Sequence, residues 1–307
     1  MRDRFIERLS RLAAEDPRIV LITGDLGFGV LTAFAERFPE QYVNAGVAEQ
    51  NMTGLAVGMA LEGRIVFTYS IGNFATLRCL EQIRNDACYH RANVKVVSIG
   101  GGFSYGPLGF SHHATEDLSV MRALPGIITV APSCPWEAAE ATEAVARAEG
   151  ACYLRLDRSS PPETGREGER FVLGKARRIR DGEDLTLVAC GGVLEEVLAA
   201  AERLAAEGVG CRVLSVHTLA PLDVESLASA AAETGGIVTV EENTVHGGLG
   251  GAVAETLLER GAVPKRFRRL GLRAGFCTTV GDQKYLRREN GLDAESIAAA
   301  ARELLRA

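Results

Sequence analysis

The sequence predicts an α/β protein with two domains, each built around a parallel sheet, and three observations carry that expectation. Short β-branched runs alternate with longer helical stretches, as when parallel strands are joined through crossover helices. The chain has 307 residues, room for two hydrophobic cores at about 150 residues per domain. A polar stretch rich in proline and glycine interrupts the alternation near its middle.

The strands expected before that interruption are IVLIT (19–23), VKVVSI (94–99) and IITVA (127–131); those after it are LTLVA (185–189), CRVLSV (211–216) and GIVTVEE (236–242). Alanine-rich helices are expected at 193–207, 222–234, 247–260 and 293–306. The interruption itself, SSPPETGREGER (159–170), contains no apolar residue. It places one domain at 1–160, a linker at 161–175 and a second domain at 176–307. After Val47, Met52, Leu55 and Met59 recur at spacings of three and four, with Gly54 and Gly58 four apart, which reads as a buried helix that lets a second backbone come close. Residues 75–89 set Leu80, Ile83 and Ala87 on one face of another packing helix.

Thirty-four Lys and Arg against 40 Asp and Glu give a net charge of −6, without the basic footprint of a nucleic-acid-binding protein. No stretch approaches the roughly 18 apolar residues of a membrane span, and the start lacks the apolar core of a signal peptide. A cytoplasmic protein with neither membrane nor nucleic-acid partners is expected. The seven cysteines are scattered, without a CxxC pair, mostly inside apolar runs, as suits reduced core thiols rather than a disulfide framework or a zinc site.

Three segments are candidates for chemistry. GDLGFG (24–29) follows a buried strand, where ligands bind in parallel α/β sheets, although its spacing is not that of a dinucleotide fingerprint. HGGLGG (246–251) misses that fingerprint too and reads as a tight strand-to-helix turn. GVAEQNM (46–52) puts Glu49 in the first turn of an apolar helix. A first-turn glutamate complements the helix dipole, yet in apolar surroundings its carboxyl should have a raised pKa and exchange a proton with a bound heterocycle. The loop SIGGGFSYGPLGFSHHATED (98–117) holds five glycines and then His112 and His113. Its GFSYG matches GxSxG with Ser104 as nucleophile, but Gly106, Pro107 and Gly109 follow at once and break the helix a nucleophile elbow needs. His112, His113, Glu116 and Asp117 suggest a metal, but adjacent histidines point apart and no third ligand spacing is recognisable. Thr115-Glu116-Asp117 more simply starts a helix.

Read together and in order, GDLG at 24, NAGVAEQNMTGLAVGMAL at 44, TYSIGNFATLRCLEQIRND at 68, SHHATED at 111, ALPGIITVAP at 123, YLRLDR at 153 and VEENTVHGGLGGAVAE at 240 resemble the C-terminal half of a transketolase. Equivalently, the chain resembles the β subunit of a split, thiamin-diphosphate-dependent transketolase, from end to end. The resemblance implies a pyrimidine-binding domain over 1–160 and the family's C-terminal domain over 176–307. Glu49 then matches the catalytic glutamate, whose hydrogen bond to N1′ of the aminopyrimidine favours the imino tautomer that deprotonates the thiazolium. Phe74 is the expected aromatic stacking on the pyrimidine, with Tyr69 the alternative. Asp25 and Leu26 match strand-end positions near the thiazolium and donor. His112 matches a histidine that contacts substrate oxygens and moves protons, and His113 is expected to share that work. Arg158 and, by its distance from Asp25, Arg2 match positions for sugar-phosphate-binding arginines, whose fork suits a phosphate dianion; a solvated surface charge is the alternative for both and the more so for Arg2.

The sequence departs from the family's pattern at three places. Leu108 stands where transketolases carry a substrate-contacting aspartate, and Gly100-Gly101-Gly102 replaces a histidine-bearing stretch, which leaves the acceptor open. The Gly-Asp-Gly motif for diphosphate and metal is missing: the only Gly-Asp pairs begin at Gly24 and Gly281. The resemblance therefore implies a separate α subunit that binds the diphosphate and Mg²⁺, no metal ligands on this chain, and an α2β2 heterotetramer with the active site at the interface. The implied reaction moves a two-carbon ketol unit from a ketose phosphate to an aldehyde. Alternatives are decarboxylative transfer from a 2-oxo acid, as in 1-deoxyxylulose-5-phosphate synthase or dehydrogenase E1 components, and a silent β-like chain that only binds or regulates.

Overall fold

The computed structural model describes residues 1–159, 161–273 and 275–306. The expected apolar runs form β1 (Ile19–Thr23), β4 (Val94–Ile99), β5 (Ile128–Val130), β8 (Leu185–Cys190), β9 (Cys211–Ser215) and β11 (Ile237–Thr244). Six further strands accompany them: β2 (Tyr42–Asn44), β3 (Ile65–Ile71), β6 (Cys152–Leu156), β7 (Arg177–Arg180), β10 (Thr218–Ala220) and β12 (Phe267–Leu272). Two of these, β3 and β6, are β-branched or aromatic runs of ordinary strand composition, whereas β2, β7 and β10 are short and lie at sheet edges.

The strands make two α/β sheets, ordered β10-β5-β6-β4-β3-β1-β2 and β12-β11-β8-β9-β7. Each sheet is parallel except for one edge: β10 runs antiparallel to β5, and β7 antiparallel to β9. An antiparallel edge on a parallel sheet is common, and the two expected parallel-sheet α/β domains are found with one such edge on each. Although β10 follows the interruption at 159–170 in sequence, it joins the first sheet. Segment 159–170 has neither helix nor strand in its described residues, yet it is tied down: Glu163 accepts from the Trp136 backbone N–H at 2.8 Å, and Glu169 accepts from Arg177 Nε at 2.8 Å.

The helix Arg2–Glu15 buries Phe5, Leu9, Leu12 and Ala13, an i, i+4, i+7, i+8 stripe, against one face of the first sheet. The opposite face is covered by the helix Glu49–Leu61 and by residues 77–88. The helix Glu49–Leu61 is not buried all round: Met52, Thr53, Ala56, Val57 and Ala60 point inward, while Gly54, Leu55, Gly58 and Leu61 are exposed. Nothing described lies within 4 Å of a Cβ placed on Gly54 or Gly58, so the close backbone approach expected there is not made within this chain. Residues 77–88 form a 3₁₀ turn (Leu77–Cys79), an α turn (Leu80–Gln82) and a π-helix (Ile83–Cys88), with Ile83 and Ala87 buried and Leu80 half-buried. Six of the seven cysteines are buried free thiols, and Cys277 is partly exposed. Among the described residues no helix is long and apolar enough to cross a membrane.

His217 sits where the chain leaves the second sheet for β10. Its ring stacks on Phe171 at 4.0 Å, Nδ1 lies 2.9 Å from Thr218 Oγ1, and Nε2 has no partner among the described residues. Burial holds its pKa down to about 4 from an ordinary 6.5, against the opposing pull of Glu137. As pH falls below 6.5 the unfolded chain takes up a proton that the folded chain refuses until about pH 4. Stability present above pH 6.5 is therefore lost on acidification, by about 3 kcal/mol for this group. His217→Phe, which keeps the aromatic contact, should flatten the fall of the unfolding midpoint between pH 6.5 and 4 in thermal scans.

Candidate active site

The chain order of the first sheet reverses between β1 and β3, and crevices at the carboxyl ends of strands beside such a reversal bind ligands. Register brings the strand ends together, Thr23 beside Asn44 and Ile71 beside Ile99. After β1 the chain turns at Asp25, which holds a left-handed φ of 57°. Asn44 at the end of β2 stabilises that turn: its Oδ1 accepts from the N–H groups of Asp25 at 3.1 Å and Gly46 at 3.0 Å, and its Nδ2 donates to Asp25 Oδ1 at 2.9 Å. One side chain thus clamps the GDLG turn to the turn that launches Glu49.

Glu49 opens its helix and is 3% exposed. Its surroundings are not purely apolar, unlike the sequence expectation. Arg78 NH1 donates to Oε2 at 2.7 Å, and Ser70 Oγ on β3 makes a long 3.4 Å bond to Oε1. The Phe74 ring lies on the same side, with Arg78 Cζ 4.3 Å from its centroid and the His112 ring edge-on at 5.2 Å. A buried carboxylate, an aromatic face and a half-buried histidine therefore share one crevice. Its rim carries Asp25 and Leu26; Asp25 is exposed and Leu26 half-buried.

Tyr69 does not belong to this crevice. Strand side chains alternate, so with Ser70 turned toward Glu49, Tyr69 points through the sheet and stacks on Phe5 at 6.0 Å. His113 also faces away: it is buried, edge-on to Phe103 at 5.2 Å, and its Nε2 lies 3.2 Å from Gly106 O. The expected sharing of work with His112 is not supported by this geometry, because the two rings project to opposite sides of the loop. Arg158 is exposed, with Cζ 5.1 Å over the Tyr105 ring, and Arg2 pairs with Asp3 at 2.9 Å. Both arginines act on the Tyr69 phenol, whose pKa is pushed up by burial first, then by Tyr105, and pulled down by Arg2 and Arg158.

The loop carrying His112 is held by the second sheet. Glu242 on β11 accepts from the Phe103 N–H at 2.5 Å, Gln283 Nε2 at 2.9 Å and the fully buried Arg287 Nε at 2.6 Å. The three glycines before Phe103 let the backbone pass through this packing. A Cβ on Gly100 would strike the Tyr105 ring, on Gly101 Arg155 Nε, and on Gly102 Glu242 Oε1, each within 2.5 Å. Asn73 Nδ2 ties the other end of the loop through His113 O at 2.7 Å.

The remaining candidates resolve into structure. Ser104 Oγ donates to Gly101 O at 2.7 Å and accepts from the Arg158 N–H at 3.2 Å, and among the described residues no histidine bonds to it. A 3₁₀ turn at Gly106–Leu108 follows it instead of an α-helix. Among the described residues no group of three or more His, Cys, Asp or Glu is arranged to hold a metal ion. At HGGLGG the helix Leu249–Glu259 begins, and the Glu241 carboxylate accepts from the N–H groups of Leu249 and Gly250 at 2.7 and 2.8 Å, filling the anion position with the protein's own side chain.

Two family models match: transketolase, pyrimidine binding domain, over residues 1–163, and transketolase, C-terminal domain, over 174–297. This chain belongs to the transketolase family. It is 38% identical over 305 residues to a 6-deoxy-6-sulfo-D-fructose transketolase subunit from a Clostridium species, covering 99% of this chain and 94% of that one. It is 36% identical to an apulose-4-phosphate transketolase subunit of Actinobacillus succinogenes, covering 89% and 88%. A split-gene transketolase solved as an inactive β4 tetramer superposes with a TM-score of 0.88 at 36% identity, covering 99% of this chain and 97% of that one. Full-length matches to half-sized subunits identify the β half of a two-component transketolase, a transferase.

Within this transketolase chain, sequence reasoning missed Asn44, Ser70, Arg78 and Glu242. Arg78 alone carried a local signal, four residues after Phe74; the others act through contacts across 19 or more residues. Removing Glu242 would leave the buried Phe103 N–H without its acceptor, while buried Arg287 would keep Glu195 as an acidic partner. Glu242→Ala should cost about 1–3 kcal/mol, read from urea unfolding, and Glu242→Gln less.

Proposed function

We propose that this transketolase β chain binds the aminopyrimidine of thiamin diphosphate between Glu49 and Phe74, and that a separate α chain holds the diphosphate and Mg²⁺. The observation that carries this reading is the buried Glu49 carboxylate, one oxygen of which has only the long Ser70 bond, beside an aromatic ring on the same crevice wall. That pair fits a flat heterocycle with a basic ring nitrogen. When bound, the cofactor supplies the nucleophilic carbon and electron sink for cleaving a ketose C2–C3 bond. Glu49 holds the proton at the pyrimidine's N1′, Phe74 stacks on the ring, and Asp25 and Leu26 shape the rim. His112, held edge-on by Phe74, reaches substrate oxygens. Arg158 and Arg2 are the proposed anion contacts. The two named relatives suit that assignment, since both are named for anionic sugars, a sulfonate and a phosphate.

The donor we propose is a ketose phosphate and the acceptor an aldehyde. An α2β2 assembly is supported by the missing Gly-Asp-Gly motif, by relatives that are themselves subunits of larger transketolases, and by the inactive β4 state of the split-gene transketolase. The exposed face of Gly54, Leu55, Gly58 and Leu61 offers small apolar residues for a neighbouring subunit. The proposed boundaries are 1–160 and 176–307, with the linker between.

Reconstitution with the α chain tests the reading. Given a ketose phosphate and an aldehyde acceptor, the mixture should release an aldose phosphate and the acceptor lengthened by two carbons, and leave pyruvate untouched. Glu49→Gln should lower that rate by about 10²- to 10⁴-fold with folding retained. Carbon dioxide release from pyruvate would favour the decarboxylative alternative, and an unaffected Glu49→Gln complex would favour a silent chain.

A further inference from the structure

Arg78 is the one charged side chain in the crevice without a part in that chemistry. Its guanidinium makes two contacts there, an ion pair from NH1 to Glu49 Oε2 at 2.7 Å and a stack with Cζ 4.3 Å from the Phe74 centroid. These are the two groups that the proposed function assigns to the aminopyrimidine. A guanidinium is planar and delocalised, and it presents N–H donors along an N–C–N edge. It therefore matches the flat, nitrogen-edged shape the crevice would receive, and it satisfies a buried carboxylate and an aromatic face together.

We propose that Arg78 is a displaceable placeholder, whose guanidinium fills the space between Glu49 and Phe74 and leaves it when the aminopyrimidine enters. The inference rests on the assignment of Glu49 and Phe74 in the proposed function. Three features make the departure feasible. The Arg78 side chain is 44% exposed, so its head reaches solvent by rotation alone. It stands on the short 3₁₀ turn Leu77–Cys79 rather than inside a long helix. Glu49 is its only acidic partner among the described residues, so release breaks one ion pair and one stack and disturbs no network. Ser70 Oγ lies on the other carboxylate oxygen, 3.4 Å from Oε1. While in place, the guanidinium keeps a 3%-exposed carboxylate paired and so offsets the cost of an unpartnered buried charge. In this role Arg78 opposes cofactor binding and stabilises the chain that lacks it.

Calorimetric titration of thiamin diphosphate with Mg²⁺ into the α–β mixture, using wild type, Arg78→Ala and Arg78→Lys, tests the proposal. Thermal unfolding of each β chain alone runs beside it. Arg78→Ala should bind cofactor about five- to tenfold more tightly and unfold at lower temperature when alone. Arg78→Lys, which keeps the charge but loses the planar stack, should fall between Ala and wild type in both. If the Ala chain does not fold, Arg78→Gln takes its place with the same expected direction. Weaker or unchanged cofactor binding by the charge-removing variant, with wild type binding normally, would overturn the placeholder role alone. Failure of the wild-type mixture to bind cofactor would overturn it together with the proposed function.

Discussion

A buried cluster of charges between the two sheets is the constraint on which the rest of the molecule depends. Arg155 on β6 is almost fully buried; its Nε faces Asp117 at 3.4 Å, and its NH2 donates to Glu242 O at 2.9 Å and Ala114 O at 3.2 Å. Tyr153 donates to Asp117 at 2.5 Å, and Arg287 joins Glu242 to Glu195. Charges in such a place are costly to desolvate, and removing one of a pair leaves the other buried without compensation. The cluster therefore specifies one arrangement of the sheets rather than adding stability in bulk. It also makes the C-terminal region part of the site: Glu242 reaches across to Phe103 and sets the loop that carries His112.

Around that frame the crevice is assembled from strand ends. The reversal of chain order between β1 and β3 opens it, and Asn44 joins its two turns. The alternation of β3 sends Ser70 to Glu49 and Tyr69 to the opposite core. The loop 98–117 closes the other wall, with its glycines where Arg155 and Glu242 leave no room for a side chain. A crevice built this way keeps its carboxylate buried while the His112 ring beside it stays half-buried.

Much of this was legible in the sequence because it is local. Strand composition marked β1, β4, β8, β9 and β11, and helix periodicity marked the alanine-rich helices within a few residues. Glu49, His112 and GDLG stood out because a polar residue in an apolar or glycine-rich setting contradicts ordinary packing. What stayed hidden depends on contacts between distant segments. The antiparallel edges β7 and β10 are four- and three-residue strands whose pairing is decided by tertiary position. His113 and Tyr69 were misplaced for the same reason: facing is set by the register of a loop or strand against its neighbours, which one residue of uncertainty reverses. The glycine triplet read as replacing a histidine-bearing stretch; its packing against Tyr105, Arg155 and Glu242 is set by distant segments.

On the proposed function, this chain forms one wall of a shared cofactor site and cannot complete it alone. Calorimetric titration of thiamin diphosphate with Mg²⁺ into this chain, into the α chain, and into their mixture tests it directly. Saturable binding by the mixture and none by this chain by itself is the expected result. Tight binding by this chain alone would contradict it, since it would require a diphosphate site that neither the Gly-Asp pairs at 24 and 281 nor the crevice around Glu49 supplies.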